Sequence, residues 1–209
     1  MRASNILCRF ADQPLQTEAA GRRKALTDRE LIRKARCGNH EAMNAIAEKY
    51  YDDIFKFCLY MTGNEADSYD ISQEVFLRFI KYFDSFSCRN LKGYLLIIAR
   101  NLCHDYFYRV KREHNLLSPS SEPDPHLKSS QNLSSPENTK LENAELRHLL
   151  HDILKQLPRE QQEVIILRIG EELKFKEIAQ ILGCSQSTAK SRYRLAIARL
   201  RKEMTDDEN

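Results

Sequence analysis

The sequence predicts an all-α protein made of two small helical domains joined by a flexible linker. Three observations predict it. Apolar residues recur three and four apart in both halves, and no run alternates apolar with polar residues as a half-buried strand would. Capping residues punctuate those periodic runs. Between the halves, 113–140 loses the periodicity to Ser118, Pro119, Ser120, Ser121, Pro123, Pro125, Ser129, Ser130, Ser134, Ser135 and Pro136, the composition of a linker. The expected division is an extension over 1–25, a four-helix domain over 26–113, the linker over 114–140, a second four-helix domain over 141–204 and a tail over 205–209.

In the first domain, Thr27 and Glu30 have the spacing of a capping box and open a helix carrying Leu31, Ile32 and Ala35, which Gly38 ends. Asn39 caps a second helix, with Ala42, Ile46, Tyr50, Ile54, Phe57 and Met61 on one face and Gly63 as its stop. A third runs from about Asn64 to Tyr82 with Ile71, Val75, Phe76 and Phe79 inward. A loop over 83–90 leads to a fourth, from about Leu91 to Arg112, with Leu95, Ile98, Ala99, Leu102 and Tyr106 as its apolar stripe.

In the second domain a helix from near Leu141 ends at Leu157, because Pro158 cannot continue it but suits the first turn of the next. That next helix is expected to end at Gly170. Phe175 to Leu182 gives a third, and Ser185 caps a fourth reaching about Met204.

The 209 residues carry a formal charge of only +3, yet 30% are charged, so clusters matter more than the total. Neither a signal-peptide core nor a membrane-length apolar run is present, which predicts a cytoplasmic protein without stable membrane insertion. Cys8, Cys37, Cys58, Cys88, Cys103 and Cys184 form no Cys-x-x-Cys pair and read as reduced packing residues. His148 and His151 have a spacing a metal could use, but no further ligands complete a site. Neither metal nor other cofactor is expected.

The clearest functional signal is Ala179-Gln180-Ile181-Leu182-Gly183, a small residue followed four places later by glycine between two predicted helices. In a helix-turn-helix the small residue permits close approach and the glycine the tight turn. On the last helix Ala189, Tyr193, Ala196 and Leu200 pack inward, leaving Ser187, Lys190, Ser191 and Arg194 on the opposite side. Those groups could enter a DNA major groove, while Arg192, Arg199, Arg201 and Lys202 would attract phosphates.

The stretch from Leu157-Pro158-Arg159-Glu160-Gln161-Gln162-Glu163 through Leu167-Arg168, with Glu177-Ile178-Ala179 and Thr188-Ala189-Lys190-Ser191-Arg192, resembles the fourth region of extracytoplasmic-function sigma factors. Asp70-Ile71-Ser72-Gln73-Glu74-Val75-Phe76-Leu77 and Tyr94-Leu95-Leu96-Ile97-Ile98-Ala99-Arg100-Asn101 resemble their second region. The resemblance implies a non-enzymatic subunit that binds core RNA polymerase and reads promoter DNA. The C-terminal domain would read the minus-thirty-five element, and the N-terminal one would open and read the minus-ten element. An anti-sigma factor is the expected further partner.

By that resemblance, Asp70, Gln73 and Glu74, which share one ridge at i, i+3 and i+4, dock on the clamp helices of the largest polymerase subunit. The minus-ten strand is assigned to Phe86, Arg100, Asn101, Tyr106, Tyr108, Arg109, Lys111 and Arg112, a mixture of stacking rings and cations suited to single strands. Asn101 matches a position that hydrogen-bonds a flipped base. The minus-thirty-five duplex is assigned to Ser187, Lys190, Ser191, Arg192, Arg194 and Arg199. The chain departs from many relatives in lacking Trp at Ile80 and Tyr94, and in having Ala189, Leu195 and Ile197 on the recognition helix.

Two other readings compete. A helix-turn-helix regulator that never joins polymerase would account for the C-terminal half. A DNA recombinase could use Tyr106 or Tyr108 near Arg109 and Arg112, but no His or acidic metal cluster joins them.

Overall fold

The computed structural model describes residues 26–87, 90–117 and 151–206, and every regular element among them is helical. Helix α1 (Asp28–Arg36) opens with the expected reciprocal cap: the Thr27 hydroxyl accepts from the Glu30 amide at 3.4 Å, and the Glu30 carboxylate accepts from the Thr27 amide at 2.8 Å. Asn39 caps α2 (His40–Thr62) by accepting from the Ala42 amide at 3.0 Å, and Asn64 caps α3 (Glu65–Lys81) through the Asp67 amide at 3.1 Å. A short 3₁₀ turn (Phe83–Ser85) precedes α4 (Leu91–Leu117). Helix α4 runs past the expected end near Arg112 because His114-Asn115-Leu116-Leu117 contains no helix breaker; Pro119 is the first.

Ile46, Ile54, Phe57 and Met61 of α2, Val75 and Phe79 of α3, and Leu91, Leu95, Leu96 and Ala99 of α4 form the buried centre of this N-terminal module. Phe86 belongs to it as well. The ring is only 3% exposed, tilted against Tyr94 at 4.9 Å between centroids and edge-on to Phe79 at 5.8 Å. Arg36 of α1 donates to the Phe86 carbonyl and closes the loop from outside. This corrects the sequence assignment of Phe86 to the DNA strand: an aromatic ring in a short loop recovers more free energy by burial than by waiting in water for a base. Phe83, 4% exposed, is buried with it.

In the C-terminal module, residues 151–155 are helical and Pro158 stands at the start of α5 (Arg159–Ile165). The start expected near Leu141 lies outside the described residues. The helix ends near Gly170 as expected, but its last turn (Ile166–Gly170) is a π turn, the Glu171 amide donating to the Ile166 carbonyl at 3.1 Å. Helix α6 (Phe175–Leu182) then turns through Gly183, at φ 63°, into α7 (Gln186–Asp206), whose Ser185 cap accepts from the Thr188 amide at 3.0 Å. Ala189 and Ala196 of α7 are fully buried, so α7 lies close over α5 and α6.

The modules pack on each other, α6 against α4 and the π turn against α2. At this seam Gly63 adopts φ 70°, and a Cβ there would lie 2.1 Å from Nε2 of His151. His151 is thus a buried seam residue, its Nδ1 3.2 Å from the Tyr60 carbonyl oxygen. Among the described residues no cluster of His, Cys, Asp or Glu could hold a metal. Cys58 and Cys103 are fully buried; the hydrogen bond between them and burial push the Cys103 thiol well above its ordinary range, which keeps it an inert packing group.

Two stability changes follow. Gly63→Ala should cost about 1–2 kcal/mol from the left-handed backbone alone, with displacement of His151 adding to it; urea unfolding of the full chain measures the loss. Phe86→Ala should cost about 3–5 kcal/mol, the range for an aromatic core truncation, and a midpoint unchanged in urea would place that ring outside the core.

Candidate nucleic-acid interface

The assigned residues fall on three surfaces. On α3, Asp70 is exposed while Gln73 and Glu74 are half-buried, forming the expected ridge. Glu74 also accepts from Arg78 Nε at 2.8 Å, one turn on. The ridge is therefore acidic at Asp70 and partly neutralised at Glu74.

The second surface is the start of α7. Ser187, Lys190, Ser191, Arg194 and Arg199 are all exposed, while Ala189, Tyr193, Ala196 and Leu200 turn inward. Gly183 in the left-handed region makes the corner between α6 and α7, and Ala179, 7% exposed, sits beneath it. Arg192 departs from its sequence assignment as a free phosphate-binding group: its guanidinium is paired with Glu160 of α5 at 2.7 Å. Four residues with hydrogen-bonding or cationic ends thus project from the first turns of a helix with no acidic residue in its first turn.

Helix α4 carries the third surface. Asn101, Tyr108, Arg109, Lys111 and Arg112 are exposed, Tyr108 to 69%. Tyr106 is half-buried and donates to the Asp67 carboxylate at 2.8 Å; burial and that carboxylate raise its hydroxyl well above the ordinary phenol range. A tyrosine held protonated in this way makes no activated nucleophile, which removes one support from the recombinase reading. Arg100 is also engaged, and its partner lies in the other module.

That partner is Glu163 of α5, 1% exposed. One carboxylate oxygen accepts from Arg100 Nε at 3.0 Å and the other bonds Nε2 of His104. A second buried acid, Glu171, contacts Lys92 Nζ at 2.8 Å, and Lys92 also reaches Asp53 at 2.8 Å. Burial pulls the Lys92 ammonium down, but the hydrogen bonds and charges of Asp53 and Glu171 outweigh it, so Lys92 holds its proton more tightly than an ordinary lysine. Burial pushes Glu171 up, with Lys92 opposing. Arg159 lies over the Phe107 ring at 4.1 Å from its centroid, and Gln162 donates to the Tyr60 carbonyl at 3.3 Å.

None of Glu163, Glu171, Lys92, His104 or Arg159 was singled out as a site residue by the sequence reading. One signal was available. Gln161, Gln162 and Glu163 directly precede Val164-Ile165-Ile166-Leu167, and all seven are buried, so the helix is covered on every side. Polar residues within such a stretch require buried partners.

Comparison with known proteins follows the same division. Residues 46–113 match the family model described as "Sigma-70 region 2" and residues 147–200 the one described as "Sigma-70, region 4". The chain is 27% identical over 184 residues to the ECF RNA polymerase sigma factor BldN of Streptomyces coelicolor, covering 85% of this chain and 66% of that one. It is 29% identical over 182 residues to the ECF RNA polymerase sigma factor SigW of Bacillus subtilis, covering 85% and 97%. The structure of CnrH in complex with the cytosolic domain of CnrY superimposes with a TM-score of 0.66 at 21% identity, over 86% of this chain and 98% of that one, which establishes a shared fold. With both regions matched in order and carried on that fold, the chain belongs to the extracytoplasmic-function sigma factors of the sigma-70 family, the RNA polymerase subunits that direct promoter recognition.

Proposed function

We propose that the chain acts as a non-enzymatic, cytoplasmic initiation subunit whose three surfaces divide the work. The α3 ridge of Asp70, Gln73 and Glu74 docks on core polymerase. The start of α7 reads the upstream duplex element through Lys190, Ser191, Arg194 and Ser187, with Arg199 on phosphates. The exposed side of α4 holds the opened minus-ten strand through Asn101, Tyr108, Arg109, Lys111 and Arg112. The observation that carries this reading is the solvent-facing Ser187, Lys190, Ser191 and Arg194 directly beyond the Gly183 corner, on a chain that also bears the ridge.

Phe86 is left out of the strand-binding set because its ring is buried. The exposed ring beside the α4 cations is Tyr108, which can stack on a base at about 1–3 kcal/mol. Arg192, paired with Glu160, contributes to DNA only if that exposed pair exchanges for a phosphate, an exchange of low cost at a solvated bridge. The structural neighbour CnrH is held by the cytosolic domain of CnrY, which supports an anti-sigma factor as the further partner here. Among the described residues no helix is long and apolar enough to cross a membrane.

Run-off transcription with core polymerase tests the whole reading; absence of any polymerase-dependent transcript would return the chain to the class of free-standing regulators. Within it, Asp70→Arg should abolish capture by core polymerase while circular dichroism stays helical, since the reversal sits on an exposed position. Arg194→Ala should lose about 1–3 kcal/mol at one base position of the upstream element if it makes a base contact, whereas Lys190→Ala should weaken all sequences alike if it binds phosphate. Asn101→Ala should leave upstream footprints intact and reduce permanganate reactivity in the minus-ten region, with recovery on a pre-melted template.

A further inference from the structure

Both buried carboxylates of the C-terminal module end on cations of a single helix of the other module. Glu163 takes Arg100 and His104, one turn apart on α4, and Glu171 takes Lys92 near its start. At about 100° and 1.5 Å per residue, these three cations occupy one sector of roughly 120° along about 18 Å of α4. The acids have little solvent: Glu163 and Glu171 side chains are 1% and 2% exposed.

A seam built this way is specific in register but inexpensive to open. Buried ion pairs recover on hydration much of what they lose on separation, so they select one arrangement without adding much net stability. An apolar seam of the same extent would behave as a permanent core. The chemistry of the acids also matters, because a guanidinium accepts a carboxylate or a phosphate through the same donor geometry. Arg100 immediately precedes Asn101, so Glu163 stands where the backbone of a strand reaching Asn101 would bring a phosphate.

Resting on the reading of α4 as the strand-binding helix, we infer that the contact between the modules is an autoinhibitory latch. In it Glu163, supported by Glu171, occupies the α4 cations in place of DNA phosphates. Closure masks single-strand binding and leaves the upstream-reading face untouched, since Ser187, Lys190, Ser191 and Arg194 stay exposed in the closed form. The partners that open the latch are polyanions or proteins that separate the modules, and opening exposes Arg100 and removes a repelling carboxylate at once. The strained backbone beside Glu171 fits this role: Glu172 adopts φ 54°, and with the π turn before it aims Glu171 at Lys92.

The test uses the full chain and two readouts, the radius of gyration by small-angle scattering and the binding of a fluorescein-labelled single-stranded DNA of mixed sequence by anisotropy. Glu163→Gln combined with Glu171→Gln keeps side-chain volume and removes both charges. It should expand the molecule and tighten single-strand binding by roughly 5- to 150-fold, the usual span of a coupling between sites, with duplex binding unchanged. Lys92→Glu attacks the seam from the N-terminal side and should act in the same direction, which covers the case in which the α5 variant fails to fold. Helical, monomeric variants that retain the wild-type radius and single-strand affinity would overturn the latch, as would expansion without any gain in affinity. Neither result depends on polymerase. A wild-type chain that fails in run-off transcription would instead remove the initiation role while leaving the latch to be judged on these two readouts.

Discussion

The carboxylate of Glu163 fixes how the two halves of the chain meet. An acid removed from water loses several kcal/mol of hydration, and only close cations with hydrogen-bonding hydrogens return it. Arg100 and His104 do so from adjacent turns of α4, one on each oxygen. That pairing sets the register of α5 along α4, and the neighbouring contacts fall into line with it. Arg159, one turn before Glu163, meets Phe107, and Gln162 meets the Tyr60 carbonyl at the end of α2. Gly63 then has to be a glycine, because His151 fills the space a side chain would need.

Much of the fold was legible because it is local. Thr27, Asn39, Asn64, Gly63, Gly183 and Ser185 each act within four residues of themselves, and the caps and corners lie where the sequence puts them. The alternation of buried and exposed positions on α2 and α7 follows directly from helical period. The end of α4 was less legible, since a helix without a breaker stops only where packing or a proline stops it. The π turn leaves no compositional mark, because it arises from accommodating Glu171 at the seam rather than from any preference of Ile166 or Leu167.

The site was legible in part. Surfaces whose side chains face water, the ridge at Asp70 and the start of α7, carry their chemistry in the sequence pattern. Phe86 shows where that reasoning stops: an aromatic in a six- or seven-residue loop has the same composition whether it stacks on a base or fills a core, and only the position of Phe79 and Tyr94 decides. Arg100 and Arg192 show the same for cations. Each has a carboxylate partner on another helix, and the pairing of Arg100 with Glu163 spans 63 residues, beyond any periodicity argument.

The π turn has a consequence for which changes of length the chain tolerates. A π turn holds one residue more than the α turn it replaces. Loss of any single residue from Ile166–Gly170 would let the segment relax to α geometry and rotate everything beyond it by about 100°, taking Glu171 off Lys92 and turning α6 relative to α4. Gain of a residue would do the same in the opposite sense. The stretch from Glu163 to Glu171 is thus a spacer of fixed length, intolerant of insertion and deletion at positions where most substitutions between Leu, Ile and Val would pass unnoticed.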